Sequence, residues 1–156
     1  MNFKASASFT GLNTAVATKT YQTANRLSVE QSAEIVLEEA EAIVPVRDGP
    51  LRESGHTEIE VEGPVAHGYV VFDAPHAQFV EYGTGLIGAG TYPYELPEEG
   101  VPITVSWIYD YKKQNWHGME ARPYARPALD IARPAIMEVF RDNMASATAL
   151  LGRSKQ

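Results

Sequence analysis

The chain of 156 residues contains no cysteine. That excludes disulfides, thiol nucleophiles and thiolate metal ligands, and leaves the redox compartment open. Long apolar runs are missing too. No stretch approaches the ~18 uninterrupted apolar residues of a bilayer span. The opening residues Met1-Asn2-Phe3-Lys4-Ala5-Ser6 lack the apolar core of a secretory signal, so the cytoplasm of the producing cell is the expected site of synthesis. Positive charge is scarce, with 13 Lys and Arg against 20 Asp and Glu, a net charge of −7. Duplex binders draw most of their affinity from basic surface, so binding to DNA is expected to be weak and without sequence preference. An acidic surface does suit a protein past which DNA slides without sticking. What is present is an apolar fraction of 44%, enough for one core. Ten prolines and twelve glycines imply tight turns but stay below the level of a disordered chain.

Periodicity places the elements. Phe3, Ala5, Ala7 and Phe9 alternate with polar residues and predict a short strand, while the threonine-rich residues 11–25 have only a poor apolar stripe. Ser28 and Gln31 have the spacing of a capping box. After it Val29, Ala33, Val36, Leu37, Ala40, Ile43 and Val44 recur at helical spacing, opposite Glu30, Glu34, Glu38 and Glu41, until Pro45 ends the helix. Residues 46–54 read as turns. Alternation in residues 56–62 predicts a half-buried strand, Gly63-Pro64 turns the chain, and residues 65–73 read as a second strand, so the pair predicts an antiparallel hairpin. Pro75 suits the first position of a short helix through Tyr82, with Gly83 as its stop and at positive φ. Composition then shifts to glycine, proline and aromatics over residues 84–118, where only Ile103, Val105, Trp107 and Tyr109 alternate. A last helix is predicted over residues 124–150, with Leu129, Ala132, Ile136, Val139, Phe140, Met144, Ala147 and Leu150 on one side. Pro127 falls in its first turn, and Pro134 inside it predicts a kink. The sum is a single α+β domain over residues 1–156, with a core of about 28–150, an extended excursion at 84–118, and terminal arms at 1–10 and 151–156. A small antiparallel sheet packs on a long N-terminal helix and a C-terminal helix.

Residues with chemical potential are few. Gly83-Thr84-Gly85-Leu86-Ile87-Gly88 spells the dinucleotide fingerprint, but that motif needs a strand before it and a helix after it. Here a short helix precedes it and Pro93 and Pro97 follow, which predicts a flexible loop and no cofactor. His56, His67, His76 and His117 include no i, i+4 pair for a metal; His56 and His67 could meet across the hairpin, but two surface histidines are the expectation. Ser54 and Ser106 lack a nucleophile-elbow context, and Glu98-Glu99 stand in a proline-rich loop. Arg122, Arg126 and Arg133 can share a helical face, directed at a phosphate or an acidic partner, at the glutamates of the 29–44 helix, or at water. Tyr92, Tyr94, Trp107, Tyr109, Tyr111 and Trp116 concentrate in the excursion, as in an interface or a local mini-core.

Three stretches, in order and at matching spacing, resemble the tail-component family of long-tailed phages, the neck or tail-completion proteins. The first is Val44-Pro45-Val46-Arg47-Asp48-Gly49-Pro50-Leu51-Arg52-Glu53-Ser54, with Asp48 where the family usually has threonine. The second is Ala77-Gln78-Phe79-Val80-Glu81-Tyr82-Gly83-Thr84-Gly85, preceded by His76 where tyrosine is common. The third is Gly118-Met119-Glu120-Ala121-Arg122-Pro123-Tyr124-Ala125-Arg126-Pro127-Ala128-Leu129. The resemblance covers roughly residues 28–145. It implies an α+β fold, no catalysis and no cofactor. It also implies a homo-oligomeric ring, expected to be sixfold, around the DNA channel at the head–tail junction of the virion. Head-completion, tail-terminator or tail-tube proteins are the implied neighbours, and no membrane is involved. On this reading Glu81, Tyr82, Gly83, Arg122, Pro123, Arg126 and Pro127 are structural or interface residues, joined by Trp107, Tyr109 and Trp116. The excursion at 84–118 is then an assembly element outside the core. Two other classes stay open: a small nucleotide- or metal-dependent enzyme using the glycine loop or the histidines, and a toxin-like or regulatory binding domain.

Overall fold

Helix α1 spans Thr14–Ile43, so the threonine-rich stretch and the glutamate-lined stretch are one continuous helix. Ser28 is not its cap. Its side chain is buried within the helix, where Oγ donates to the Ala24 carbonyl at 2.8 Å and accepts from Asn143 Nδ2 at 3.1 Å. Thr20 and Thr23 use their hydroxyls in the same way, on the carbonyls of Val16 and Lys19. Such local bonds satisfy the polar side chains without ending the helix. Ala17, Ala24 and Ser28 form a narrow buried face, and small residues let α1 lie close to the last helix. Packing, which the apolar stripe did not advertise, stabilises this half.

The computed structural model describes residues 14–45, 49–95 and 118–153. The strand expected at 3–9, the alternation at 103–109, and the side chains of Trp107, Tyr109 and Trp116 lie outside the described residues. After Pro45 a short helix, α2 (Gly49–Glu53), occupies part of the stretch read as turns, with Pro50 in its first turn and Leu51 fully buried. Proline is cheap there because the first N–H groups of a helix have no intrahelical acceptor. Strands β1 (Gly55–Glu62) and β2 (Val65–Phe72) form the antiparallel hairpin around Gly63-Pro64, in a register pairing Gly55 with Phe72 and Glu62 with Val65. Thr57, Ile59, Val70 and Phe72 share the face turned to α1. Gly68 is on that face, at a point where a Cβ would lie 2.8 Å from Val29 Cγ1. The opposite face carries Glu58, Glu60 and Glu62 beside Tyr69, His67 and Val65. His67 pairs with Glu60 and His56 with Val71, so the two histidines do not meet; His67 stacks on Tyr69 instead, with ring centroids 6.5 Å apart.

Helix α3 (Ala77–Tyr82) begins two residues after Pro75, with His76 at its N-cap. The glycine-rich stretch beyond it is not a loop. Gly85–Thr91 forms helix α4, and an isolated bridge ties Thr84 to Met119. The start of the excursion is therefore fastened to the chain that leads into the last helix. Helix α5 (Ala125–Arg153) is continuous through Pro134. Its buried residues are Ala128, Ala132, Ala147 and Leu151, while Leu129 and Leu150 are 42% and 61% exposed. The contact face is thus turned slightly from the predicted stripe, because alanines at the crossing with α1 displace the larger side chains to its edges. Ala40, Val44, Leu51, Ala77, Val80, Tyr124 and Ala128 form the central core, with Val36, Ile43, Phe72 and Ala74 packed against it. The result is a small α+β fold: a two-stranded antiparallel sheet, a long N-terminal helix and a C-terminal helix. Among the described residues no helix is long and apolar enough to cross a membrane.

Candidate functional site

Among the described residues a dense polar arrangement lies where α3, α4 and the start of α5 meet, and Glu81 is its centre. Helical spacing in α3 puts Ala77, Val80 and Glu81 on the buried side. Glu81 is only 5% exposed. Its Oε2 accepts from the backbone N–H of Tyr124 at 2.7 Å and of Ala125 at 3.0 Å. Its Oε1 accepts from the Arg126 N–H at 3.4 Å and from the Tyr92 hydroxyl at 3.3 Å. The first N–H groups of a helix have no partner inside it, and the aligned peptide dipoles make that end positive. A carboxylate delivered from another helix answers both needs. Glu81 is the N-terminal cap of α5, supplied from 43 residues earlier in the chain.

Around it the backbone closes tightly. Gly83 has φ 72° and ψ −174°, a conformation essentially confined to glycine. The Arg122 N–H donates to the Val80 carbonyl at 2.8 Å. Thr84 exchanges backbone hydrogen bonds with Met119 at 2.9 and 3.1 Å, and its Oγ1 accepts from the Met119 N–H at 3.0 Å. Thr91 Oγ1 accepts from the Ala121 N–H at 2.9 Å. Tyr82, Tyr92 and Tyr94 form a ladder of edge-to-face rings, with centroids 5.0 and 5.5 Å apart. Burial, and then the Glu81 carboxylate, push the Tyr92 hydroxyl up to about 12; the same two causes raise that of Tyr82. Both phenols stay protonated at neutral pH, and that of Tyr92 is a hydrogen-bond donor to Glu81.

The sequence candidates sort accordingly. Glu81, Tyr82 and Gly83 belong to this junction. Arg122 contributes its backbone, and its side chain is exposed. Pro123 and Pro127 are half-buried on either side of the cap. Arg126 lies with its guanidinium carbon 5.8 Å from the Tyr94 ring centroid and pairs with Asp130 at 3.6 Å. Arg133 also pairs with Asp130, at 3.1 Å, so neither arginine bridges to the glutamates of α1. The fingerprint glycines are used for close packing: a Cβ at Gly88 would meet the Gly83 carbonyl carbon at 2.5 Å and the Met119 oxygen at 3.1 Å. Thr84 and Thr91 were missed by sequence reasoning, since threonine in a glycine-rich stretch carries no positional signal. Ser54, considered as a nucleophile, is a clip. Its Oγ donates to the Leu51 carbonyl at 2.7 Å and accepts from the Ala74 N–H at 3.1 Å. Among the described residues no group of three His, Asp or Glu side chains could hold a metal ion.

Away from the junction, His56 stands between acceptors. Nδ1 lies 3.3 Å from the Ser54 carbonyl and Nε2 3.4 Å from Glu58 Oε1, with Asp73 at 3.7 Å. Both ring nitrogens can donate only in the imidazolium form. The Ser54 carbonyl first, then the Glu58 hydrogen bond, raise His56 above its ordinary 6.5. A raised histidine stabilises the fold below the unfolded value and loses that contribution as pH rises through the folded one. His56→Gln is therefore expected to remove a small decline in stability on going from about pH 6 to 8, measured as the urea midpoint at each pH. An unchanged decline in the variant would assign it to other groups.

Comparisons with protein-family models, with curated proteins and with solved structures find no match to this chain.

Proposed function

We propose that the protein is a structural component of a long-tailed phage, a neck or tail-completion protein that acts by assembling as a ring at the head–tail junction. One observation supports this reading above the others: the three stretches that carry the resemblance meet in one place. Val44 and Leu51 from the first, Ala77 and Val80 from the second, and Tyr124 and Ala128 from the third are all members of the central core. Glu81 of the second stretch caps the helix that the third begins. Residues separated in sequence but joined in packing are what a shared fold requires, and the Glu81 carboxylate among them is engaged by backbone N–H groups. The glycine stretch, whose backbone groups bond to Met119 and within α4, is poorly placed to cradle a pyrophosphate.

The reading is tested in particles. Deleting the gene from the phage genome should leave filled heads and finished tails unjoined, and cryo-electron microscopy of intact particles should find the protein as a ring, sixfold on our reading, around the channel. Infectious particles without the gene, or virions that lack the protein, would overturn it.

A further inference from the structure

Helix α1 is the floor of an open apolar groove of about 480 Å³. Val29, Ala33 and Val36 line the floor, Phe72 the wall formed by β2, and Leu129 and Phe140 the wall formed by α5. Further round α5 from the buried Ala128 and Ala132, helical spacing places Arg126, Arg133, Met137 and Arg141 along the rim of that wall, and all four are exposed. Arg126 and Arg133 share one carboxylate, Asp130. Arg141 has no ion-pair partner among the described residues. The rim is therefore locally positive in a chain whose net charge is −7. The matching surface is the end of the hairpin. Glu58, Glu60 and Glu62 are exposed on one face of β1, and Val61 and Val65 beside them are 52% and 48% exposed. An apolar end flanked by carboxylates is complementary to an apolar groove flanked by guanidinium groups. A copy cannot fill its own groove in this way. Asn25 Nδ2 donates to the Pro64 carbonyl at 3.3 Å, which holds the turn against the part of α1 that precedes Val29, where the floor begins.

We propose that the groove receives the hairpin end of a second copy of this chain, with Val61 and Val65 entering it and Glu60 and Glu62 against the arginines of the α5 rim. Groove and hairpin end are different surfaces, so the contact is head-to-tail. Each copy offers its hairpin end to one neighbour and its groove to another, the arrangement from which closed rings are built. Burial of the apolar side chains supplies most of the affinity, and the charges select the partner and its orientation. The inference rests on the proposed ring for its setting and gives that ring an interface. The contact itself is measured in solution, so its failure and the failure of the phage reading are told apart.

Sedimentation velocity of the full-length protein decides it. A contact this small implies a Kd of roughly 10–100 μM, so the wild type should form dimers and larger species as it is concentrated through that range. Arg133→Glu with Arg141→Glu reverses the rim, and Glu60→Arg with Glu62→Arg reverses the hairpin. Each double variant alone should associate at least tenfold more weakly, with its helical circular dichroism unchanged. Mixed in equal amounts, the two should recover the association of the wild type, because each reversed rim then meets a reversed hairpin and each native rim a native one. Should a double variant lose its helical signal, the single changes Arg141→Glu and Glu62→Arg, at exposed positions outside the ion pairs of the described residues, are mixed in their place. The proposal is overturned by a wild type that stays monomeric through that range, by association that neither reversal weakens, or by a mixture that associates no better than its components.

Discussion

Replacing Glu81 with alanine is expected to lower the stability of the fold by about 3–4 kcal/mol, because three backbone N–H groups at the start of α5 lose their acceptor in a buried place. For a chain of this size that is a fall in Tm of about 10 °C. Glu81→Gln keeps the shape and one acceptor oxygen but turns an amide N–H₂ toward other donors, and about 2 kcal/mol should be lost. The two variants separate packing from charge. A second reading comes from Tyr92, whose hydroxyl is held at about 12 by burial first and by the Glu81 charge second. In Glu81→Gln the phenol should titrate lower, yet remain above its ordinary 10.0, because burial persists. Thermal melts and absorbance titration of the phenolate check both. Loss of less than about 1 kcal/mol in Glu81→Ala would mean that water replaces the carboxylate at the cap.

Gly83→Ala is expected to be as damaging, for a steric reason. At φ 72° and ψ −174° an L side chain is strained wherever it points. Its Cβ would also lie 2.6 Å from Gly88 Cα and 2.7 Å from both the Ala121 nitrogen and the Met119 oxygen. All three are backbone atoms, which cannot rotate away. Strain and overpacking together should amount to ~4 kcal/mol. Gly63→Ala is the matched control, because φ is 59° there and nothing lies within 4 Å of the new Cβ. It should lose only about 1 kcal/mol. Equal urea midpoints for the two variants would show that the junction around Gly83 yields more readily than its close contacts imply.

Both residues were marked by the sequence, but for different reasons and to different depths. Glycine after a short apolar helix signals positive φ by itself, since few other residues take that conformation cheaply. The crowding by Gly88, Met119 and Ala121 had no local sign. Glu81 stood out only within the stretch that resembles the phage tail components. On a helix of six residues, one glutamate has no periodic neighbour to show that it points inward.

Local information determined much of the fold. Alternation in residues 56–62 gave the first strand its faces, because a strand's side chains repeat every second residue, and Gly63-Pro64 specified the hairpin turn. Pro45 marked the end of α1 by steric exclusion, and Pro75 announced a short helix, which opens two residues later than expected, at Ala77. The α+β class followed from these elements. Tertiary structure decided the rest. The first half of α1 is helical although its apolar stripe is poor, since small residues let it lie against α5. The same close approach left Ala132 and Ala147 of the expected stripe buried but put Ala128 and Leu151 beside them in place of Leu129 and Leu150. A flexible loop became α4 because Thr84 and Thr91 found backbone partners beyond Gly118. The cap of α5 came from a carboxylate on α3. These outcomes depend on contacts between residues far apart in the chain, and neither spacing nor propensity records which distant groups will meet.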